Sequence, residues 1–121
     1  MCNFYFMKNY ILCLETSSTN CSVSISKKNK IIYTKESDGE GYKHSEFLHL
    51  FIEESMVNCK LEYDELMAVS VGIGPGSFTG LRIGLSSAKG ICYSKDIPLI
   101  TVNSLEILAQ KYKTINEEIL V

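Results

Sequence analysis

The pattern of apolar and polar residues predicts an α/β domain. Its core would be a mixed five-stranded sheet in the order β-β-β-α-β-α-β-α, with helices on its faces. Three observations carry this. Tyr10 to Glu15 is a continuous apolar run ending in an acid, as expected for a central strand buried on both faces. Cys21 to Ser26 alternates strictly, Cys21, Val23 and Ile25 against Ser22, Ser24 and Ser26. The apolar run Met67 to Val71 meets the glycine-rich stretch Gly72 to Gly84, and helical periodicity follows from Leu81 to Tyr93.

In chain order, Thr16-Ser17-Ser18-Thr19-Asn20 is a polar turn after the first strand. Lys28-Asn29 is a short turn, so Ile31 to Lys35 pairs with the second strand as a hairpin. Three antiparallel strands therefore open the chain. Glu36 to Lys43 is a polar loop, and the first helix is predicted from about Ser45 to Asn58. Its apolar residues Phe47, Leu48, Leu50, Phe51, Ile52, Met56 and Val57 make a stripe wider than one core-facing side needs. Either the helix is deeply buried, or it packs inward and also meets a partner. Lys60 to Glu65 is a polar connection to the fourth strand, Met67 to Ile73.

The second helix, about Thr79 to Ser94, places Gly80, Gly84 and Ala88 at i, i+4 and i+8 on one face. Each interior glycine costs roughly 1 kcal/mol of helix propensity. A smooth face that lets another backbone approach would offset this, whether that backbone is the chain's own sheet or another subunit. Asp96-Ile97-Pro98 turns into a short strand, Leu99 to Val102. Asn103 with Glu106 resembles a capping box, so a third helix is expected to about Tyr112, and Ile119 to Val121 reads as the start of another strand. This element order is the ribonuclease-H-like, or actin-like, arrangement.

Length and composition bound the function. The chain has 121 residues, the size of one domain, and 45% hydrophobic residues, enough for a real core. Residues 1–6 read as an N-terminal extension, 7–116 as the domain, and 117–121 as the start of a truncated second domain. A net charge of −2 argues against a free-standing nucleic-acid binder. The single arginine, Arg82, lies inside the glycine-rich stretch, and Lys27-Lys28-Asn29-Lys30 reads as a charged turn. Five cysteines form no C-x-x-C pair, which points to a reducing cytoplasm. No apolar run reaches the roughly 18 residues of a membrane span.

The glycine-rich stretch, Gly-Ile-Gly-Pro-Gly-Ser-Phe-Thr-Gly-Leu-Arg-Ile-Gly, is a strand–loop–helix junction. A helix start presents unpaired N–H groups that suit an anion. The stretch is not a P-loop, because no Lys-Ser/Thr follows its last glycine. Candidate phosphate contacts are Thr16 and Ser17 in the first turn, with Gly74, Gly76, Ser77 and Thr79 in the second. His44 and His49 are about 140° apart round a helix and cannot chelate as an i, i+4 pair would. Glu15 is the one strand-end acid well placed for a metal, where a two-metal nuclease needs several carboxylates. No Ser/His/Asp set is apparent.

Three blocks resemble the TsaB (YeaZ) family of the actin-like ATPase superfamily. They are Ile11 to Ser17 leading into Cys21 to Ser24; His44-Ser45-Glu46-Phe47-Leu48; and Gly74-Pro75-Gly76-Ser77-Phe78-Thr79-Gly80-Leu81-Arg82-Ile83-Gly84. The last continues through Ala88-Lys89-Gly90 to Pro98 and Val102-Asn103-Ser104-Leu105. Glu15 stands where many members have Asp.

The resemblance implies a non-catalytic, dimerising scaffold in the complex that forms threonylcarbamoyladenosine in tRNA next to the anticodon. Partners would be a TsaD-type transferase and a TsaE-type ATPase, with a homodimer as a further state. ATP and a divalent metal are expected at those partner subunits, and tRNA is met through the complex. No cofactor is assigned to this chain. The family's first two helices are understood to contact the transferase, which makes Phe47, Leu48, Phe51, Ile52, Gly80, Gly84, Leu85 and Ala88 the candidate interface. The alternative is a nucleotide-binding enzyme of the same superfamily, using the Thr16–Asn20 and Gly74–Gly80 loops.

Overall fold

The structure, a computed structural model, describes residues 9–16, 21–28, 30–37, 44–76 and 78–103, and not the side chains of 44–46 and 78. The third helix, the strand at Ile119 to Val121, the extension at 1–6, Ser17 and Ser77 lie outside the described residues.

Five strands and two helices match the predicted order. They are β1 (Tyr10–Glu15), β2 (Cys21–Lys27), β3 (Lys30–Ser37), α1 (His44–Asn58), β4 (Leu66–Gly72), α2 (Phe78–Lys95) and β5 (Leu99–Val102). The predicted connection at Lys60 to Glu65 contains a single 3₁₀ turn, Tyr63–Glu65. The strand order is β3-β2-β1-β4-β5. β1, β2 and β3 run antiparallel, as the hairpin signals require, while β4 lies parallel to β1 and β5 parallel to β4.

Register sorts the residues by face. Leu12 pairs with Ile25 and Val69, and Leu14 with Val23 and Val71. These side chains are wholly or almost wholly buried and share one cluster with Leu48, Ile52 and Met56 of α1 and Ala88 and Cys92 of α2. Both helices therefore cover the same face. α1 packs on β2 and β3, and α2 packs mainly on β4. On the opposite face Ile11, Cys13, Glu15, Ser22, Ser24 and Ser26 are half-buried.

The ends of α1 and α2 are fixed by backbone chemistry. Lys60 takes a left-handed φ of 55° after α1, and Leu61 N–H donates to Met56 C=O at 2.9 Å. Asp96 takes the same φ of 55° after α2, and Ile97 N–H donates to Cys92 C=O at 3.0 Å. Both are Schellman closures without the usual glycine. α1 is also tied sideways to β3. Lys35 lies 3.5 Å from Glu54 and 5.7 Å from the centre of the Phe51 ring, and Asn58 donates to the Tyr33 hydroxyl at 3.4 Å. The buried Ser55 hydroxyl is satisfied within the helix by Phe51 C=O at 2.6 Å.

The described cysteines, Cys13, Cys21, Cys59 and Cys92, are free thiols. Burial pushes each one's pKa up, Cys21 to about 11. Cys21 and Cys92 lie in the core and Cys59 packs against it, where a thiol behaves as a small hydrophobe rather than a nucleophile.

Candidate functional site

The end of β1 sends consecutive side chains to opposite faces of the sheet, as strand periodicity dictates. Glu15 goes to the face away from the helices and lies over Gly72 on neighbouring β4. A Cβ built on Gly72 would run into Glu15 Oε2 and sit 2.7 Å from its Cδ. Thr16 goes to the helix face, is wholly buried, and donates its hydroxyl to Gly80 C=O at 2.6 Å. After β4 the chain turns at Gly74, whose φ of 107° favours glycine and whose Cβ would meet Leu81 Cδ1 at 2.9 Å.

This corrects the phosphate-contact expectation for Thr16 and Gly74. Thr16 offers nothing to a ligand, because its hydroxyl is committed to α2 and no solvent reaches it. Gly74 is buried against α2. Gly76 and Thr79 are exposed. Among the described residues no three His, Cys, Asp or Glu side chains gather where a metal ion could sit.

The candidate partner face is also redrawn. Gly84 and Ala88 are buried, and a Cβ on Gly84 would run into Thr16 Oγ1 and come 3.5 Å from Val71 Cγ2. The Gly80–Gly84–Ala88 stripe is therefore the seam along which α2 lies on its own sheet. Leu48, Phe51 and Ile52 likewise belong to the core, whereas Phe47 and Leu85 are half-buried at its margin. The small residues of this stripe are spent on the close approach of α2 to Thr16 and Val71.

What faces outward is a second stripe that the sequence reading passed over. Ser86, Gly90 and Ser94 also repeat at i, i+4 and i+8 on α2, and with Ser87, Ile91 and His49 of α1 they line an open groove between the helices. A Cβ on Gly90 would meet nothing within 4 Å. The same two helices carry large apolar side chains in solvent: Leu50 on α1 is 53% exposed, Val57 on α1 74% and Tyr93 on α2 93%. The signal was present in the spacing. Two small-residue stripes share one helix, and spacing does not say which of them meets the sheet.

Arg82 is exposed on α2, away from the buried seam, as its angular position predicts. Among the described residues no helix is long and apolar enough to cross a membrane.

The model of the family described as TsaD, tRNA N6-adenosine threonylcarbamoyltransferase, matches residues 40–121. Over 105 residues the chain is 39% identical to the tRNA threonylcarbamoyladenosine biosynthesis protein TsaB of Buchnera aphidicola subsp. Acyrthosiphon pisum (strain APS), covering 87% of this chain and 47% of that one. YeaZ from Pseudomonas aeruginosa superposes with a TM-score of 0.81 at 25% identity, covering 88% of this chain and 49% of that one. A Bacteroides thetaiotaomicron protein with actin-like ATPase fold aligns at 4% identity and a TM-score of 0.53, over 90% of this chain and 39% of its own, a likeness of fold alone. The chain spans about half the length of the curated relatives it matches first.

Proposed function

The chain belongs to the TsaB (YeaZ) family, and from that premise we propose that it is a non-catalytic scaffold subunit in the formation of threonylcarbamoyladenosine in tRNA. It docks and activates a TsaD-type transferase, and the assembly recruits a TsaE-type ATPase. ATP and a divalent metal act at those partner subunits, and tRNA is held by the complex.

One observation carries this reading. The outward side of α1 and α2 combines an open backbone site at Gly90 with exposed Leu50, Val57 and Tyr93, the composition of a helix-docking surface. The use of the β1 end supports it from the other side. The Thr16 hydroxyl, which could have served an anion, is instead consumed by its bond to Gly80 C=O of α2.

The test is co-purification with the TsaD-type transferase. Gly90→Arg or Ser86→Arg should abolish it while leaving the thermal unfolding transition in place, because neither position is part of the core. Gly84→Arg is not an informative variant, since it would disrupt the α2–sheet seam itself. Undiminished co-purification of Gly90→Arg would sink the reading. Calorimetry with ATP and magnesium is the counter-test, and stoichiometric binding by this chain alone would favour the nucleotide-binding alternative.

A further inference from the structure

We propose that the tip of the β2–β3 hairpin is a contact for the phosphate backbone of RNA, made by Lys27, Lys28 and Lys30. This rests on the reading above that the assembly acts on tRNA, and it gives this chain an RNA contact of its own.

The carrying observation is a concentration of like charge that the fold does not neutralise. Lys27 and Lys30 stand directly opposite each other in the β2–β3 register. Like charges so placed destabilise a sheet. Lys28 follows in the turn with a left-handed φ of 51°, and its N–H donates to Asn9 C=O at 3.4 Å. All three lysines are exposed, and among the described residues none of them is ion-paired. β2 has no acid, and the first on β3 is Glu36, roughly 20 Å along the strand from Lys30. Asp64 and Glu65 lead into β4, which β1 separates from β2. The Lys27 ammonium lies 5.2 Å from the centre of the Tyr10 ring, which directs it without cancelling its charge. A chain of net charge −2 thus keeps three positive charges at one corner. Lysine meets phosphate as a point charge and reads no base, so the tip adds affinity to the assembly without sequence preference. None of these residues belongs to the α1–α2 face, so RNA and transferase do not compete for one surface. Ile31 and Ile32 are exposed beside the lysines, which makes an anionic lipid surface the occupant to be told apart.

Amide NMR of the isotope-labelled 121-residue chain, titrated with unmodified tRNA, locates the contact. Lys27, Lys28, Lys30 and Ile31 should shift, and the outward side of α1 and α2 should not. Fluorescence anisotropy with the same tRNA measures its strength. The triple variant Lys27→Gln, Lys28→Gln, Lys30→Gln should bind at least roughly tenfold more weakly at about 0.05 M KCl, and its plot of log K against log [KCl] should be shallower by about 2–3. The variant Lys60→Gln, Lys89→Gln, Lys95→Gln removes the same charge elsewhere and should lose far less. Both should stay folded, because these side chains are exposed. Equal losses in the two triples, or tRNA shifts that spare the hairpin tip, overturn the proposal. So does a tip that binds phosphatidylserine vesicles and not tRNA. Aggregation of the tip variant at unchanged tRNA affinity would assign the lysines to guarding the β3 edge, and overturns it too. If the tip shifts but Gly90→Arg captures transferase undiminished, the scaffold reading fails and the RNA contact stands. If Gly90→Arg loses the transferase and the tip does not respond to tRNA, the scaffold reading stands and the RNA contact falls.

Discussion

The hydroxyl of Thr16, at the end of β1, donates a 2.6 Å hydrogen bond to the backbone carbonyl of Gly80 in the first turn of α2. One turn further on, Gly84 passes beneath the same side chain, and its missing Cβ leaves room for Thr16 and Val71. The strand end and the helix start are thereby locked together by one short bond over one close approach. Residues that look like an anion cradle or a partner seam form an internal joint.

Thr16→Val should test the bond apart from the packing. It keeps the shape of the side chain but removes the donor to Gly80, and should cost about 1–2 kcal/mol of stability. Thr16→Ser retains the hydroxyl and should cost less. Urea denaturation of the two variants checks the order, and equal losses would assign the effect to packing alone.

Two glycines of α2 should respond to alanine with opposite signs. Gly84→Ala drives a methyl group into Thr16 and should destabilise by about 1–3 kcal/mol. Gly90→Ala meets nothing within 4 Å and should stabilise by roughly 0.8–1 kcal/mol through helix propensity. Thermal melts of both variants provide the comparison.

The helix ends carry removable strain. Lys60 and Asp96 hold a left-handed backbone at φ 55° that glycine adopts freely. Lys60→Gly and Asp96→Gly should each raise stability by about 0.5–1 kcal/mol. Asp96→Gly should gain more of the two, because it also removes an acid from the negative end of the α2 dipole. Chemical denaturation would expose a failure as an unchanged or lowered midpoint.

Alkaline pH should weaken the fold. Burial raises the Cys21 pKa from 9.0 to about 11, and it raises those of Cys13, Cys59, Cys92 and Tyr63 in the same direction. In each case the folded state favours the protonated form. The resulting stability is fully present below the unfolded pKa, near 9 for the thiols, and is lost as pH rises through the folded value, about 11 for Cys21. Urea midpoints measured across that interval should fall, and Cys21→Ala should flatten part of the decline.

Much of the fold was legible in the residues. The alternation at Cys21 to Ser26 and the continuous run at Tyr10 to Glu15 identify a half-buried and a central strand, because strand periodicity is a local property. The β1–β2–β3 antiparallel register follows from the hairpin turn and from which residues must face inward. The glycine-rich junction and the two helices appear within one or two residues of their predicted ends, where local capping signals act.

Which way each helix faces was not legible, and the candidate site turns on that. α1 has more apolar residues than its inner side holds, so Leu50 and Val57 are left in solvent while Leu48 and Ile52 vanish into the core. α2 has two small-residue stripes with identical spacing. Rotation about a helix axis is decided by packing against a particular strand, a contact between residues distant in sequence, and Thr16 settles it by donating its hydroxyl to Gly80 C=O with Gly84 close against its side chain. So the sequence by itself determined the glycine-rich junction, the order of elements and the small faces of α2. Only tertiary packing decided that the Gly84 face is consumed inside the domain and that Gly90 is presented outside it.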